Sequence, residues 1–244
     1  MKQTLLAWAQ LFRISNLPTV WTNVLLGVTA AGGPHQGRWE LSAFALAAGS
    51  LLYAALMVDH DLCDAQRDAT ERPNRPIPAG RIATRNAYVV AVAIISLSIL
   101  CILQNPNPGF ACWLGILGFG VLYNQTHHKT AWSILFPPLC RVGVIGVGAY
   151  TAVGINQTEW PPNAGLVAGS ACSLAVYLLI VSCLARKEHK PDSKFKPTHI
   201  GWLLSGICLH DAIWLLLLGA PGLAGVAVGC FVLCRVLAKV ASPS

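Results

Sequence analysis

Long apolar runs, separated by short polar stretches, repeat along the whole chain. The runs are continuous rather than alternating, which argues against the strands of a membrane barrel. In lipid the backbone finds no water, so such runs must be helices, each of about 20 residues. The pattern predicts eight spans, at 17–33, 41–60, 85–104, 109–124, 132–154, 164–184, 199–219 and 221–239. A fairly amphipathic start with Lys2 and Arg13 precedes them and reads as a short interfacial helix. No small-residue cleavage site is evident there, so no cleavable signal peptide is expected. The expected fold class is all-α: a polytopic transmembrane helical bundle of about eight spans, one integral membrane domain over residues 1–244.

Composition sharpens this. Hydrophobic residues make up 55% and charged residues 11%, against roughly a quarter charged in soluble domains, too few to wet a soluble surface of this size. The net charge of +7 is spread between apolar runs rather than gathered on one soluble face. It therefore reads as membrane topology and no nucleic acid is expected as a partner. Fifteen of the 17 basic residues fall in the N-terminus, the loops at 61–85, 124–131 and 185–198, and the tail. That asymmetry places both termini and these loops in the cytoplasm, and the protein in a bacterial inner membrane. The nine cysteines form no CxxC pair and mostly lie inside apolar runs, where they act as small apolar packing residues.

The chemistry lies in the loop after the second span. Asp61, Asp64 and Asp68 are spaced by three and then four residues, which on a helix brings three carboxylates onto one face. Like charges so close, at a membrane boundary, repel unless something neutralises them. A multivalent cation would do so, and oxygen ligands with room for water and phosphate suit Mg²⁺. The acids pairing with nearby arginines is the simpler alternative. Arg67, Arg72, Arg75 and Arg81 stand close by and suit phosphate oxygens.

The stretch His60-Asp61-Leu62-Cys63-Asp64-Ala65-Gln66-Arg67-Asp68 resembles NDxxDxxxD, the first aspartate-rich motif of the UbiA superfamily of intramembrane prenyltransferases. Glu71-Arg72-Pro73-Asn74-Arg75-Pro76-Ile77-Pro78-Ala79-Gly80-Arg81-Ile82 is similar to the run RxxRPxxxGxI that trails it. Leu11 to Pro18, with Arg13 and Asn16, resembles the start of that family's first helix, and Tyr123 and Lys129 resemble its Tyr and Lys after the fourth. The resemblance implies a helical bundle with a lipid-facing cavity, in which Mg²⁺ binds an isoprenyl diphosphate whose isoprenyl group passes to an aromatic or other electron-rich acceptor. It further implies Asp61, Asp64 and Asp68 as ligands of the first Mg²⁺, and Asn16, Arg72, Tyr123 and Lys129 as diphosphate contacts.

Three departures are visible. His60 stands where the motif has Asn, the family usually has nine spans, and the 185–198 loop contains no second DxxxD. Glu188 and Asp192 are four apart there and are candidate stand-ins for the second metal site. Against this, Pro191 interrupts a helix between them, and the basic loop also suits anionic lipid headgroups. The pattern resembles the EboC-like members of the superfamily, and it opens a second possibility, a catalytically degenerate protein that binds or transports an isoprenoid or related precursor. Within the spans, Arg141 either reaches a diphosphate or acceptor carboxylate or pairs with Asp211, and His210-Asp211 is either a base or an internal polar pair. Gly143, Gly146 and Gly148 suggest close helix packing.

Overall fold

A computed structural model describes residues 2–188 and 197–241, and these are helical, with no strand among the described residues. In chain order the helices are α1 Lys2–Leu11, α2 Leu17–Ala30, α3 Trp39–Glu71, α4 Thr84–Ile102, α5 Gly109–Thr126, α6 Phe136–Ala149, α7 Ala164–Glu188, α8 Pro197–Ser205, α9 Ile207–Leu217 and α10 Pro221–Val240, with short 3-10 turns between several of them. Every predicted span contains a helix. Among the described residues six stretches are long and apolar enough to cross a membrane, Trp39–Glu71, Thr84–Ile102, Ala131–Ala152, Ala164–Arg186, Thr198–Leu217 and Pro221–Val240. The helices in the first and fourth expected spans are shorter: α2 has 14 residues and α5 has 18, ending in polar Asn124-Gln125-Thr126.

Two spans differ from expectation. The second span does not end at residue 60, because α3 runs 33 residues to Glu71. At 1.5 Å per residue that is about 50 Å, against about 30 Å of hydrocarbon. The aspartates therefore sit on a rigid helical extension, not in a loop. The seventh span is broken at Gly206, between α8 and α9. The Tyr177 hydroxyl donates to the Leu203 carbonyl at 2.6 Å, taking the acceptor that would otherwise continue the α-helical ladder, a recognised cause of a kink. In the fifth span, Pro137 and Pro138 stand in the first turn of α6, where a missing N–H costs nothing.

The core is organised around α2, whose residues Pro18–Thr22, apart from Trp21, and most of those from Asn23 to Ala30 are buried. Val20, Val24, Leu52, Trp113, Ile116 and Val147 form the main cluster, joining α2 to α3, α5 and α6. A second cluster around Leu26, Ile145, Leu174, Ile207 and Leu215 joins α2 and α6 to α7, α9 and α10. The bundle is inverted relative to a soluble protein. Leu100, Val176, Ile180, Leu217, Val232 and Val236 point outward, and only 22% of the most apolar stretch of α4 and of α10 is covered. Faces so apolar and uncovered belong against lipid.

With no hydrophobic force between helices in lipid, close contact depends on small residues. A Cβ on Gly148 would lie 2.3 Å from the Val24 carbonyl oxygen, and one on Gly27 would lie 2.1 Å from that of Ile145. These two glycines press the backbones of α2 and α6 together, while Gly143 and Gly146 make room on α6 for the Ile116 and Cys112 side chains of α5. Gly148→Val should therefore lower stability by about 1–3 kcal/mol, seen as a fall of several degrees in the melting temperature in detergent. Gly118→Ala, where a Cβ meets nothing within 4 Å, serves as the control. Equal melting of the two variants would show that the close approach is not a constraint.

Candidate functional site

The end of α3 carries Asp61, Asp64 and Asp68 on one face, and all three are buried, at 5%, 8% and 5% exposure. Their partners differ. Asp61 takes Arg13 at 3.1 Å and Arg75 at 3.4 Å, and Asp68 takes Arg75 at 2.6 Å. The pairing alternative thus describes these two acids in this structure. Arg13 is brought there by the turn between α1 and α2, where it adopts a left-handed backbone conformation with φ 47°. Arg75 is buried in the segment after α3, next to Ile77 and Ile82, which anchor that segment on α1 and α4.

Asp64 has different company. His60 and His127 place Nε2 at 3.4 Å from its Oδ2, and His128 places Nε2 at 3.2 Å from its Oδ1. His128 also contacts Arg67, which reaches back to Glu71 at 2.7 Å. Burial, reinforced by His127 beside it, holds the His128 imidazole below its ordinary pKa. The Tyr123 ring stacks on both His60 and His127, with centroids 6.0 and 5.0 Å apart. Asn124 fastens α5 to α3, donating to the Leu56 carbonyl at 3.0 Å and to Asp59 at 2.7 Å.

These groups surround a polar cavity of about 160 Å³ lined by His60, Asp64, Asp68, Tyr123, His127 and His128 together with Arg67, Arg72, Arg75 and Glu71. Of the residues named from sequence, Asp64, Asp68, Arg72 and Tyr123 therefore line one cavity, and Asp61 shares Arg75 with it. Lys129 is exposed and is not among the lining residues. Asn16 lies instead against the Tyr53 hydroxyl. Glu188 is the last residue of α7, but its side chain and the whole of Asp192 lie outside the described residues. His127 and His128 escaped the sequence reading. The only local signal was a His pair directly after an apolar run, on the same side as the aspartates.

Arg141 is not a lining residue of this cavity either. It donates to Asn23 Oδ1 at 3.1 Å and lies over the Tyr53 ring at 5.7 Å, while the Asn23 amide donates to Asp211 at 2.7 Å. Asn23 thus bridges the two charges between which the sequence suggested a direct pair. Asp211 also takes His210 at 3.0 Å, and His210 meets Ser173 at 2.9 Å. The internal polar pair is what the bundle contains, extended into a chain across α6, α2, α9 and α7.

The donor set can be tested against Mg²⁺. Asp61 and Asp68 both address one cationic group, the Arg75 guanidinium, so two buried carboxylates already share a cation position. An oxygen pair of this kind fits Mg²⁺, with Arg75 as its stand-in.

The profile of the UbiA prenyltransferase family matches residues 19–241. The chain belongs to the UbiA prenyltransferase family. Within it, the chain is 31% identical to digeranylgeranylglyceryl phosphate synthase of Natronomonas pharaonis over 71% of its own length and 57% of the relative's. It is 27% identical to protoheme IX farnesyltransferase of Chloroflexus aurantiacus, over 69% and 27% of the two chains. It is 28% identical to the bacteriochlorophyll synthase 33 kDa chain of Cereibacter sphaeroides, over 67% and 51%. The chain thus spans between about a quarter and somewhat over half of these UbiA relatives' lengths. The fold is similar to that of a digeranylgeranylglyceryl phosphate synthase, with TM-score 0.61 and 13% identity over 99% of this chain and 96% of the other. It is also similar to a UbiA homologue from Archaeoglobus fulgidus bound to GPP and Mg²⁺, with TM-score 0.60 and 16% identity over 96% and 86%. These comparisons show the UbiA family and fold; they do not separate the EboC-like members from the rest.

Arg75→Met should leave Asp68 buried without its partner and cost about 3–5 kcal/mol in divalent-free buffer. Adding Mg²⁺ should raise the melting temperature of this variant more than that of the wild type. An equal response would show that Asp61 and Asp68 do not share a cation position.

Proposed function

We propose that this UbiA family protein is a membrane prenyltransferase, moving an isoprenyl group from an isoprenyl diphosphate to an aromatic or other electron-rich acceptor. The observation that carries this reading is the cavity at the end of α3, where Arg67, Arg72, Arg75 and Tyr123 stand around Asp64 and Asp68, and Asp68 shares the Arg75 cation with Asp61. The relatives' activities and the Archaeoglobus structure with GPP and Mg²⁺ support the same chemistry.

Asp61, Asp64 and Asp68 would hold Mg²⁺, directly or through water, and Arg75, released from Asp61 and Asp68, would turn to phosphate oxygens with Arg72 and Arg67. When bound, Mg²⁺ supplies neutralisation of the negative charge that grows on the departing diphosphate. The carbon–oxygen bond breaks with its electron pair leaving on the diphosphate, and the acceptor bonds to the allylic carbon and releases a proton. The Tyr123 ring and the buried wall behind it exclude water from that carbon. The bundle also contains apolar cavities of about 530 Å³, lined by residues of α5, α6 and α7, and about 410 Å³, lined by α2, α3 and α10. Either is large enough for an apolar chain. In this reading the basic loops favour a cytoplasmic position, in a bacterium, for this end of the bundle and both termini.

The test is pyrophosphate release by the purified protein with Mg²⁺, allylic diphosphates of several lengths and electron-rich aromatic acceptors. Asp61→Asn and Asp68→Asn should each lower turnover at least about a hundredfold, and chelation of divalent ions should abolish it. Arg72→Ala should raise KM for the diphosphate about tenfold. Binding of the isoprenyl diphosphate by the wild type, with no pyrophosphate released to any acceptor, would replace the transferase by a carrier.

A further inference from the structure

Three of the nine cysteines converge inside the bundle. Cys208 on α9 and Cys230 and Cys234 on α10 form one buried cluster, at 0%, 7% and 0% exposure, with Trp21 of α2 packed against it. The hairpin of α9 and α10 explains the meeting. Cys208 lies 12 residues before Ala220 in the turn between the two helices, and Cys234 lies 14 after it. At about 1.5 Å per residue the two stand at nearly the same depth. Their thiols hydrogen-bond to each other, and the Thr22 hydroxyl donates to Cys208 Sγ at 3.9 Å. Thr19 lies in the first turn of α2, where a backbone N–H has no partner within the helix. That N–H donates to the Cys234 sulfur, and the Arg141 and Arg235 guanidinium groups lie close to the same atom. A backbone donor and two cations favour negative charge there, and negatively charged sulfur is the nucleophile of thiol chemistry.

A cysteine that only fills space needs neither donor nor charge beside it. The cluster also has a way in. Cys230, one turn before Cys234 on α10, lines the apolar cavity of about 410 Å³ together with Trp21, Leu25, Leu46 and Val226. That cavity carries one uncommitted polar group. Ser50 Oγ, also in its wall, accepts from Trp21 Nε1 at 3.0 Å, and among the described residues its own hydrogen has no acceptor. A strongly hydrated oxidant would lose its water shell on entering such a space. A flat apolar ring bearing carbonyl oxygens loses little, and the Ser50 hydroxyl can donate to one of those oxygens. Quinones have that shape, and they accept two electrons and two protons, the number that two thiols release on joining.

We infer that Cys208 and Cys234 form a redox-active dithiol, which a lipid-soluble quinone seated in the Cys230 cavity oxidises to a disulfide joining α9 to α10. The step balances. Both S–H bonds break, one S–S bond forms, and the two electrons and two protons released reduce the quinone to its hydroquinone. The two sulfurs already touch, so the bond needs no large movement of either helix. Neither a metal ion nor a diphosphate takes part, and the site stands apart from the carboxylates at the end of α3.

The experiment uses the full-length protein in detergent, reduced, freed of reductant and kept without oxygen. The probe is tetramethyl-1,4-benzoquinone, whose ring carbons are all substituted and so resist capture as a stable thioether. Each chain should consume one quinone, lose two titratable thiols and yield a Cys208–Cys234 cross-linked peptide by mass spectrometry. Cys208→Ser and Cys234→Ser should each slow quinone consumption at least about tenfold, because the remaining thiol has no partner. Cys172→Ser, at an exposed position on α7, should not. Ser50→Ala should slow it about fivefold, the loss of one hydrogen bond. Oxidised glutathione, which is charged and strongly hydrated, should act at least about tenfold more slowly than the quinone. Should the cysteine variants fail to fold, the quinone stoichiometry and the cross-link in the wild type decide the matter. No disulfide, a disulfide between other cysteines, or oxidised glutathione acting as fast as the quinone would each overturn the assignment. A wild-type rate in folded Ser50→Ala would remove the cavity as the seat of the quinone.

Discussion

Three carboxylates confined to two turns of one helix, each buried, have to be compensated, and much of the architecture at this end of the bundle serves that need. Arg13 arrives from the turn between α1 and α2, Arg75 folds back from the segment after α3, and His127 and His128 arrive from the end of α5. Elements far apart in the chain are thereby drawn to one point. The compensation is of two kinds. Two acids are met by guanidinium groups, fixed positive charges that phosphate oxygens can also claim. The third is met by imidazoles, His60 from its own helix and His127 and His128 from the end of α5.

The precision of such a site depends on what carries it. Because α3 continues as a helix well past the length a bilayer needs, Asp61, Asp64 and Asp68 share the rigidity of a span rather than the freedom of a loop. That span is held in turn by the packed interior around α2. The Gly27 and Gly148 contacts bring α2 and α6 to backbone distance, and the chain Arg141–Asn23–Asp211–His210 satisfies charges that lipid would not tolerate. Inside the bundle, polar groups find each other; outside it, leucine, isoleucine and valine face the hydrocarbon. Family membership places this scaffold among the UbiA prenyltransferases.

Much of this was readable along the chain. Continuous apolar runs require helices in lipid, so the all-α bundle and the position of each helix followed from composition and run length. The three-and-four spacing of the aspartates put them on one face once the segment was helical, and it is. Where α3 ends was not readable, since a helix that leaves the membrane keeps no apolar pattern to mark its course. Nor was the kink at Gly206, which depends on the Tyr177 hydroxyl reaching Leu203 from another helix.

Sequence alone determined which groups lie on one helix, because the helical repeat fixes neighbours three and four residues apart whatever the surroundings. Tertiary structure decided which charge meets which partner. Asp64 meets His127 across 63 positions, and Asn23 meets Asp211 across 188. Such meetings depend on how nearly uniform apolar helices slide and rotate against one another, and that offset is set by glycine contacts and side-chain packing that no local repeat records.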